Sequence, residues 1–392
     1  MQRLTQSPND PEFVQNPYDF YDRARASGDL FFWADYGLPM AVSHAAVSAL
    51  LRDRRLGRQA PPGRATAPPE HLRHFYSVEA HSMLELEPPR HTRLRRLVLR
   101  AFTSRNIAAL APTIRALCND LIDALPAGPV DLLARYAALV PVITIARLLG
   151  VPERDADRLL DWSHAMVGMY QAGISRADED AAEAAALAFA DYVKRQIDLR
   201  RDALRDDLLS ELIRAEQAGD KLTPDELVTT VILLLNAGHE ATVHTLGNGI
   251  ATCLARGVVP NAASAPAVVE EVLRFDPPLH MFRRWVYDDC TLFGHDFRRG
   301  DEVGLLLAAA GRDPGIWRDP QRFDPSRSQG PGNLAFGAGL HFCVGAPLAR
   351  LELEIALEIL FARLPGLTLS APPRYGDIYH FHGLDALWCH PG

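Results

Sequence analysis

A single cysteine lies in the glycine-rich stretch FGAGLHFCVG, which covers Phe336–Gly345. Cys343 follows His341 by two positions and comes just before the apolar run APLARLELEIALEILFARL, which has the composition of a buried helix. Unpaired backbone N–H groups at the start of a helix, together with the positive end of its dipole, lower the pKa of a thiol. The pattern therefore predicts a thiolate at Cys343, held by backbone that glycine allows to wrap closely around a large, flat group.

The requirements of several kinds of binding site can be compared with the residues of this stretch. A phosphate loop fits poorly, because Phe342 stands where the dinucleotide fingerprint needs its third glycine. A zinc site also fits poorly, since His341 and Cys343 would lack two further ligands. A single thiolate suits haem iron, for which the porphyrin supplies the in-plane donors. A buried structural cysteine in a glycine turn explains the stretch equally well when it is taken alone.

The segment AGHEAT, Ala237–Thr242, places polar residues in the middle of a long apolar run. A glycine inside a helix costs up to about 1 kcal/mol relative to alanine, and a buried acid or hydroxyl costs more unless it has partners. We therefore predict a local distortion of the helix beside a ligand, with Glu240 and Thr242 available for proton delivery. The alternative is a solvated helix face with a tolerated glycine, which the preceding apolar residues disfavour.

Two pairs of charged residues have helical spacing. Glu271 and Arg274 are three residues apart, and His91 and Arg95 are four apart, so each pair projects from one face of a helix. Taken alone, the first pair is an ordinary surface ion pair worth about 0.2–0.5 kcal/mol. The second pair is either a solvated basic face or a clamp for paired carboxylates.

The elements that must position these residues are mostly helical. Helical patterning extends over about residues 90–275, and one long helix begins at Thr223, with Pro224 in its first turn and Glu226 as the capping-box acid. About 30 residues at 1.5 Å each make this helix about 45 Å long. Strand-like segments follow over residues 281–307. The irregular stretch 311–333 then leads into the cysteine loop, and a loop of this length is usually functional.

Composition excludes several classes of protein. The chain has 392 residues, of which 48% are hydrophobic, and its formal net charge is −8, which disfavours a nucleic-acid binder. It shows no signal pattern and no apolar run of the roughly 18 residues that a membrane helix needs, so we expect a soluble cytoplasmic protein. The five cysteines are scattered and form no CxxC pair, so neither a disulfide framework nor a structural zinc site is expected.

In this order and spacing, the motifs resemble those of the cytochrome P-450 family of haem-thiolate monooxygenases, in its soluble bacterial form. The cysteine loop is similar to the family pattern F-x-x-G-x-x-x-C-x-G, which is met at Phe336, Gly339, Cys343 and Gly345. The A-G-x-E and E-x-x-R patterns are met at Ala237–Glu240 and Glu271–Arg274. The resemblance covers essentially the whole chain.

The resemblance implies a fold that is mainly α with small β-sheets, the triangular prism of the family. It implies one domain over residues 1–392, with β-rich segments in the N-terminal part, a helical core at about 90–275 and the haem-thiolate loop at 336–345. Heme b would lie between the long central helix and the helix after the loop, with Cys343 as the axial iron ligand.

The same resemblance assigns further residues to the cofactor, namely His91, Arg95, Ala237, Gly238, Arg284, Phe336, Gly337, His341 and Gly345. The basic ones would hold the haem propionates, and Arg283 is the alternative to Arg284. Glu271 and Arg274 would become a buried pair that braces the cysteine loop together with Arg322 and Phe323.

One position departs from the family pattern. Most members have threonine directly after the acid, whereas this chain has Ala241 there and a hydroxyl one residue later, at Thr242. One residue turns a helix by about 100°, so Thr242 need not point at the oxygen site. We expect Thr242, an ordered water or a substrate hydroxyl to replace the missing group.

The resemblance implies a monooxygenase that inserts one oxygen atom of O2 into a small lipophilic substrate. Electrons would come from a ferredoxin and ferredoxin reductase, or from a flavodoxin-type donor, and Arg93, Arg96 and Arg100 are candidate contacts for it. Two alternatives stay open: a haem-thiolate protein that senses a gas or transfers electrons, and a peroxide-driven peroxygenase. Oxygen consumption that depends on substrate separates the monooxygenase from both.

Overall fold

The computed structural model describes residues 1–218, 222–327, 330 and 332–392, and its regular structure is mostly helical. The α-helices are α1 (Pro11–Gln15), α2 (Tyr18–Arg25), α3 (His44–Leu50), α4 (Arg73–Glu79), α5 (Arg90–Ala101), α6 (Ser104–Ala109), α7 (Ala111–Asp123), α8 (Leu139–Leu149), α9 (Ala156–Val167), α10 (Arg176–Arg201), α11 (Leu208–Gln217), α12 (Pro224–Arg256), α13 (Ala265–Phe275), α14 (Leu307–Gly311) and α15 (Ala346–Arg363). The predicted fold class, mainly α with small sheets, is confirmed.

The strands form small sheets at the edge of the helical body. They are β1 (Arg3–Leu4), β2 (Leu30–Trp33), β3 (Leu38–Ala41), β4 (Leu56–Gly57), β5 (Val130–Asp131), β6 (Met281–Val286), β7 (Cys290–Leu292), β8 (His295–Phe297), β9 (Glu302–Leu306), β10 (Thr368–Leu369), β11 (Arg374–Tyr375), β12 (Leu384–Ala386) and β13 (Trp388–His390). The largest sheet has six strands in the order β1-β2-β3-β9-β6-β4. Strand β6 pairs antiparallel with β9, so that Arg283 lies opposite Gly304 and Arg284 opposite Val303.

Helix α12 begins and ends where its local sequence favours it. The Thr223 hydroxyl accepts from the Glu226 N–H at 3.2 Å, and the Glu226 carboxylate accepts from the Thr223 N–H at 3.0 Å, which is the predicted capping box. Gly257 ends the helix in the left-handed conformation, with φ of 65°. Helices α8, α10, α13 and α15 all pack against α12, which places it at the centre of the core.

The predicted distortion of this helix is wrong, because α12 is a continuous α-helix through Ala237–Thr242. Its glycine has another cause. A Cβ added at Gly238 would lie 2.7 Å from Cγ1 of Ile145 on α8, closer than real Cβ contacts allow. Gly238 therefore allows α8 and α12 to approach each other, and it does not mark a break in the helix.

The irregular stretch 311–333 contains Ser328, Gln329 and Pro331, which lie outside the described residues. Its described part is tied to the end of α13 by Arg274, which donates to the carbonyls of Gly311, Pro320 and Arg322 at 2.8–3.0 Å. These bonds fix the chain that leads into the cysteine loop. In the described ranges, no helix is both long and apolar enough to cross a membrane.

Candidate functional site

The cysteine loop depends on two glycines in the left-handed conformation. Gly337 and Gly339 have φ of 69° and 70°, values that side chains rarely adopt. A Cβ at Gly339 would also collide with the backbone carbonyl of Leu51. The N–H of Cys343 donates to the carbonyl of Phe336 at 3.0 Å, which closes the loop directly before α15.

The thiol of Cys343 has only part of the environment that the sequence predicts. Burial raises its pKa, while the backbone N–H groups of Gly345 and Ala346, and then Arg95 and Arg350, lower it. Burial dominates, so the predicted low pKa is wrong for the polypeptide alone. Coordination to a metal ion deprotonates a thiol outright, so a metal bound at this site would convert the thiol to a thiolate.

A group of basic side chains lies beside the loop. The imidazoles of His91 and His341 have their centres 4.5 Å apart, and Arg284 is 3% exposed. Burial, and then the charge of Arg58, lower the pKa of Arg284 to about 9, against the charge of Glu87, which raises it. The only carboxylate that bonds to this group is Glu87, which lies 3.0 Å from Nε2 of His341 in the described part of the chain.

One of these side chains has a buried nitrogen without a hydrogen-bond partner among the described residues. His91 is 1% exposed, and its Nδ1 has no partner among the described residues. Burial, then His341 and Arg95, lowers its pKa to about 4. Arg284 donates from one Nη to the carbonyl of Arg283 at 2.8 Å. Buried donors of this kind suit carboxylates such as haem propionates, so the residues present fit the group that the resemblance implies.

The pleat of β6 separates the two candidate arginines. Arg284 is buried on the side of His341, whereas Arg283 is exposed and lies over the ring of Tyr36 at 5.4 Å. Arg95, the other predicted propionate ligand, donates to the carbonyl of Phe342 at 2.6 Å. It therefore contacts the backbone of the cysteine loop directly.

Ala237 and Gly238 lie on a face of α12 that differs from the rest of the helix. Ala237 is exposed and Gly238 is half-buried, although Leu235 and His239 on either side are fully buried. A small, accessible surface in the middle of a core helix leaves room for a flat group to lie against it. These two residues stay predicted cofactor contacts.

Three imidazoles approach the carboxylate of Glu240, an arrangement that the sequence analysis missed. Nε2 of His164 and Nε2 of His239 each lie 3.5 Å from its Oε2, and Nε2 of His244 lies 3.6 Å from its Oε1. Burial raises the pKa of Glu240, but His244, His164 and His239 together lower it below its usual value. His244 follows Glu240 by one helical turn and could have been found from spacing, whereas His164 comes from α9 and could not.

The hydroxyl predicted for proton delivery belongs to a buried residue. Thr242 is 6% exposed, and the carbonyl of Ala241 beside it accepts a hydrogen bond from Thr245 at 2.7 Å. The roles of Glu240 and Thr242 in proton delivery stay predictions.

Arg93 has an intramolecular partner, which changes its expected role. It donates from both Nη atoms to the carboxylate of Glu226, at 2.9 and 2.7 Å. This bidentate pair joins α5 to the start of α12. The expectation that Arg93 is available to an electron donor is therefore wrong, whereas Arg96 and Arg100 are exposed.

Sequence comparison relates the chain to known proteins. A sequence model described as Cytochrome P-450 matches residues 264–365. The chain is 36% identical to the cytochrome P-450 monooxygenase PikC of Streptomyces venezuelae, over 92% of this chain and 87% of that protein. It is 32% identical to the polyketide biosynthesis cytochrome P-450 PksS of Bacillus subtilis, over 95% and 94%. It is 36% identical to the vitamin D(3) 25-hydroxylase of Pseudonocardia autotrophica, over 91% and 89%.

Solved structures give the same relationship. A structure of the cytochrome P-450 BioI, in complex with an acyl carrier protein that bears hexadec-9Z-enoic acid, superposes with a TM-score of 0.89 at 32% identity. It covers 97% of this chain and 99% of its own. The tirandamycin C-bound monooxygenase TamI superposes with a TM-score of 0.86 at 34% identity, and the match covers 100% of both chains.

Proposed function

This chain belongs to the cytochrome P-450 family of monooxygenases, and we propose that it inserts one oxygen atom of O2 into a lipophilic organic substrate, with electrons from separate redox proteins. The observation that carries the proposal is the placement of Cys343, on a glycine-shaped loop beside a buried group of basic side chains. A thiol there would serve as the iron ligand, and the basic side chains would hold the carboxylates of the porphyrin.

Different residues would hold different parts of heme b. Cys343 would ligate the iron, and the N–H groups of Gly345 and Ala346, which lower the pKa of the thiol, would stabilise its thiolate. His91, Arg284 and His341 would bind the propionates, and Arg95 would fix the loop through the carbonyl of Phe342. When bound, the haem supplies the iron centre at which O2 is activated. A thiolate ligand favours cleavage of the O–O bond.

The central helix would deliver protons. Glu240 is buried, and it can hold or release a proton at Oε2, which has no hydrogen-bond partner among the described residues. Because Ala241 carries no hydroxyl, the last donor to oxygen would be Thr242, a water or a hydroxyl of the substrate. Helix α8 packs on α12 at Gly238 and would cover that side of the helix.

The substrate would be lipophilic, with some polar function. Asn236 of α12 meets Met166 of α9 through a 3.7 Å contact between Nδ2 and sulfur, and the ring of Tyr170 lies 6.4 Å from that of His380. The first contact joins α9 to α12, and the second joins the turn after α9 to the turn before β12. Together these elements would form a mixed apolar and polar wall. The relatives are named for polyketide biosynthesis, vitamin D(3) hydroxylation and mycinamicin oxidation, which supports a lipophilic molecule.

Two buried histidines near this wall would not contact the substrate. His280 is 0% and His382 is 1% exposed, and both pack against Asp276 in a buried polar cluster. Tyr18 and Tyr375 donate to Asp276 at 3.0 and 2.5 Å. This cluster therefore belongs to the core.

The electron donor would dock on the side of the cysteine loop. Leu340 and Phe342 of the loop and Leu99 of α5 are exposed apolar residues, and Arg96 and Arg100 are exposed beside them. An apolar centre flanked by cations suits an acidic partner such as a ferredoxin or flavodoxin. We place the transfer of electrons from this partner in the cytoplasm. The rate of reduction would then fall as the salt concentration rises.

The experiment that tests this function combines binding with turnover. A panel of lipophilic compounds is titrated into the ferric protein, and a change of iron spin state identifies those that reach the site. Oxygen consumption is then measured with a surrogate ferredoxin and its reductase, with and without each compound that binds. Consumption that depends on a compound and yields an oxygenated product supports a monooxygenase. Oxygen consumption without any product contradicts it.

A further inference from the structure

We propose that His164 is the residue through which protons pass from solvent to Glu240. The inference rests on the proposed function, because it concerns how Glu240 on the central helix is reprotonated after it has given up a proton. His164 would act through Glu240, and it would not touch the substrate or the cofactor.

The geometry places His164 between water and the buried acid. Its side chain on α9 is 54% exposed, whereas that of Glu240 on α12 is 8% exposed, and the atoms Nε2 and Oε2 are 3.5 Å apart. One imidazole therefore contacts solvent and the buried carboxylate at the same time. Among the described residues, the other two imidazoles beside this carboxylate, His239 and His244, are much less accessible, with side-chain exposures of 0% and 18%.

The carboxylate is arranged to receive a proton. Nδ1 of His239 lies 2.6 Å from the carbonyl of Leu235, and a carbonyl only accepts, so the ring proton is on Nδ1. The Nε2 lone pair of His239 therefore faces Oε2 of Glu240 at 3.5 Å, and neither atom has a hydrogen-bond partner within the described chain. Oε2 of Glu240 is therefore a free acceptor for a proton from His164.

A histidine suits this position because its ordinary pKa lies near neutrality. An arginine or lysine there would keep its proton. In the transfer, the Nε2–H bond of the His164 imidazolium breaks as an O–H bond forms at Glu240. The neutral imidazole then takes a proton from water. The titratable groups that face Glu240 are His164 from α9 and His239 and His244 from α12, and His244 in turn lies close enough to His382 to affect its pKa.

The test compares His164→Gln with His390→Gln, a change of an exposed histidine on β13. Both are made in the haem-loaded protein. Because His164 is half-exposed, its replacement should not unfold the chain. Glu240→Gln identifies the infrared band of the protonated Glu240 carboxyl group by removing it. The primary measurement is the rate at which this carboxyl exchanges hydrogen for deuterium in the resting protein at a pH below the lowered pKa of Glu240, where the group is protonated. It needs no turnover.

The proposal predicts that His164→Gln slows this exchange about tenfold and that His390→Gln leaves it unchanged. With a compound that supports turnover, His164→Gln should also divert electrons from product to peroxide, more strongly as pH rises. Unchanged exchange in His164→Gln would overturn the relay, even if the enzyme is a monooxygenase. If no compound supports turnover, the proposed function fails, and the exchange rate still decides whether His164 delivers the proton.

Discussion

The guanidinium of Arg274 donates from Nε and one Nη to the two carboxylate oxygens of Glu271, at 2.7 Å each, inside the core. Both residues are at most 4% exposed. The carboxylate also accepts from the N–H of Asp324 at 2.7 Å, and the ring of Phe275 packs edge-on against Phe323 at 5.6 Å. This pair thus joins the end of α13 to the chain that leads to the cysteine loop.

Breaking that pair should destabilise the protein strongly. Glu271→Gln leaves the Arg274 charge buried without its partner, so we expect a loss of about 3–5 kcal/mol in the free energy of unfolding. Denaturant titration of the haem-loaded protein measures it. Asp180→Asn, which removes the exposed partner of Arg176, is the control and should cost about 1 kcal/mol or less. Equal losses in the two variants would show that the buried pair has no special role.

The close approach of α8 and α12 at Gly238 can be tested by adding one methyl group. Gly238→Ala would press against Ile145 and should cost about 1–3 kcal/mol in the free energy of unfolding. Ile145→Ala, which makes room, should recover part of that cost in the double variant. The control is Gly249→Ala on the same helix, where the nearest atom, Cγ2 of Val272, lies at an ordinary 3.4 Å. A neutral Gly238→Ala would contradict the packing account.

The pair between Arg93 and Glu226 should make stability depend on pH in acid. Hydrogen bonds from Arg93 lower the pKa of Glu226 to about 2, against burial, which raises it. A lowered folded-state pKa contributes stability above the unfolded value of about 4.3, and this is lost as pH falls toward 2. The difference corresponds to about 3 kcal/mol.

Arg93→Gln should therefore destabilise the protein at neutral pH and lose less stability between pH 5 and pH 2 than the wild type does. Urea unfolding at several pH values measures this. Parallel pH profiles of the two proteins would contradict the assignment.

Replacement of Glu240 tests proton delivery. Glu240→Gln keeps the size of the side chain and removes its acid, so product formation should slow by about 10²-fold, in the range of general acid catalysis, and peroxide should accumulate. The measurement is the ratio of product to peroxide per electron consumed. Gln217→Glu, at the exposed end of α11, is a control that should leave this ratio alone. An unchanged ratio in Glu240→Gln would remove the acid from the mechanism.

The sequence predicts features whose interactions are local. The capping box of Thr223 and Glu226 spans one helical turn, so its residues determine it directly. Likewise, the glycines around Cys343 indicate the backbone conformation of their own loop. The partner of Glu226 lies 133 residues away, at Arg93, and no periodicity connects the two.

The same distinction explains the errors. A glycine lowers the stability of its own helix, and for Gly238 this suggested a distortion. The glycine is instead needed because Ile145 on another helix leaves no room for a side chain there. The pKa of Cys343 was predicted from its helix terminus, whereas burial by the whole fold decides its direction. His164 beside Glu240 likewise depends on how α9 packs on α12.

The central claim is that Cys343 binds haem iron through its sulfur, and the absorption spectrum of the reduced, carbon monoxide-bound protein tests it most directly. The wild-type protein should show the red-shifted Soret band of a thiolate-ligated haem. Cys343→Ser should lose that band, and Cys290→Ser, at a half-buried cysteine elsewhere, should retain it. A haem-loaded wild type without this band, or a Cys343→Ser variant that keeps it, would contradict the account.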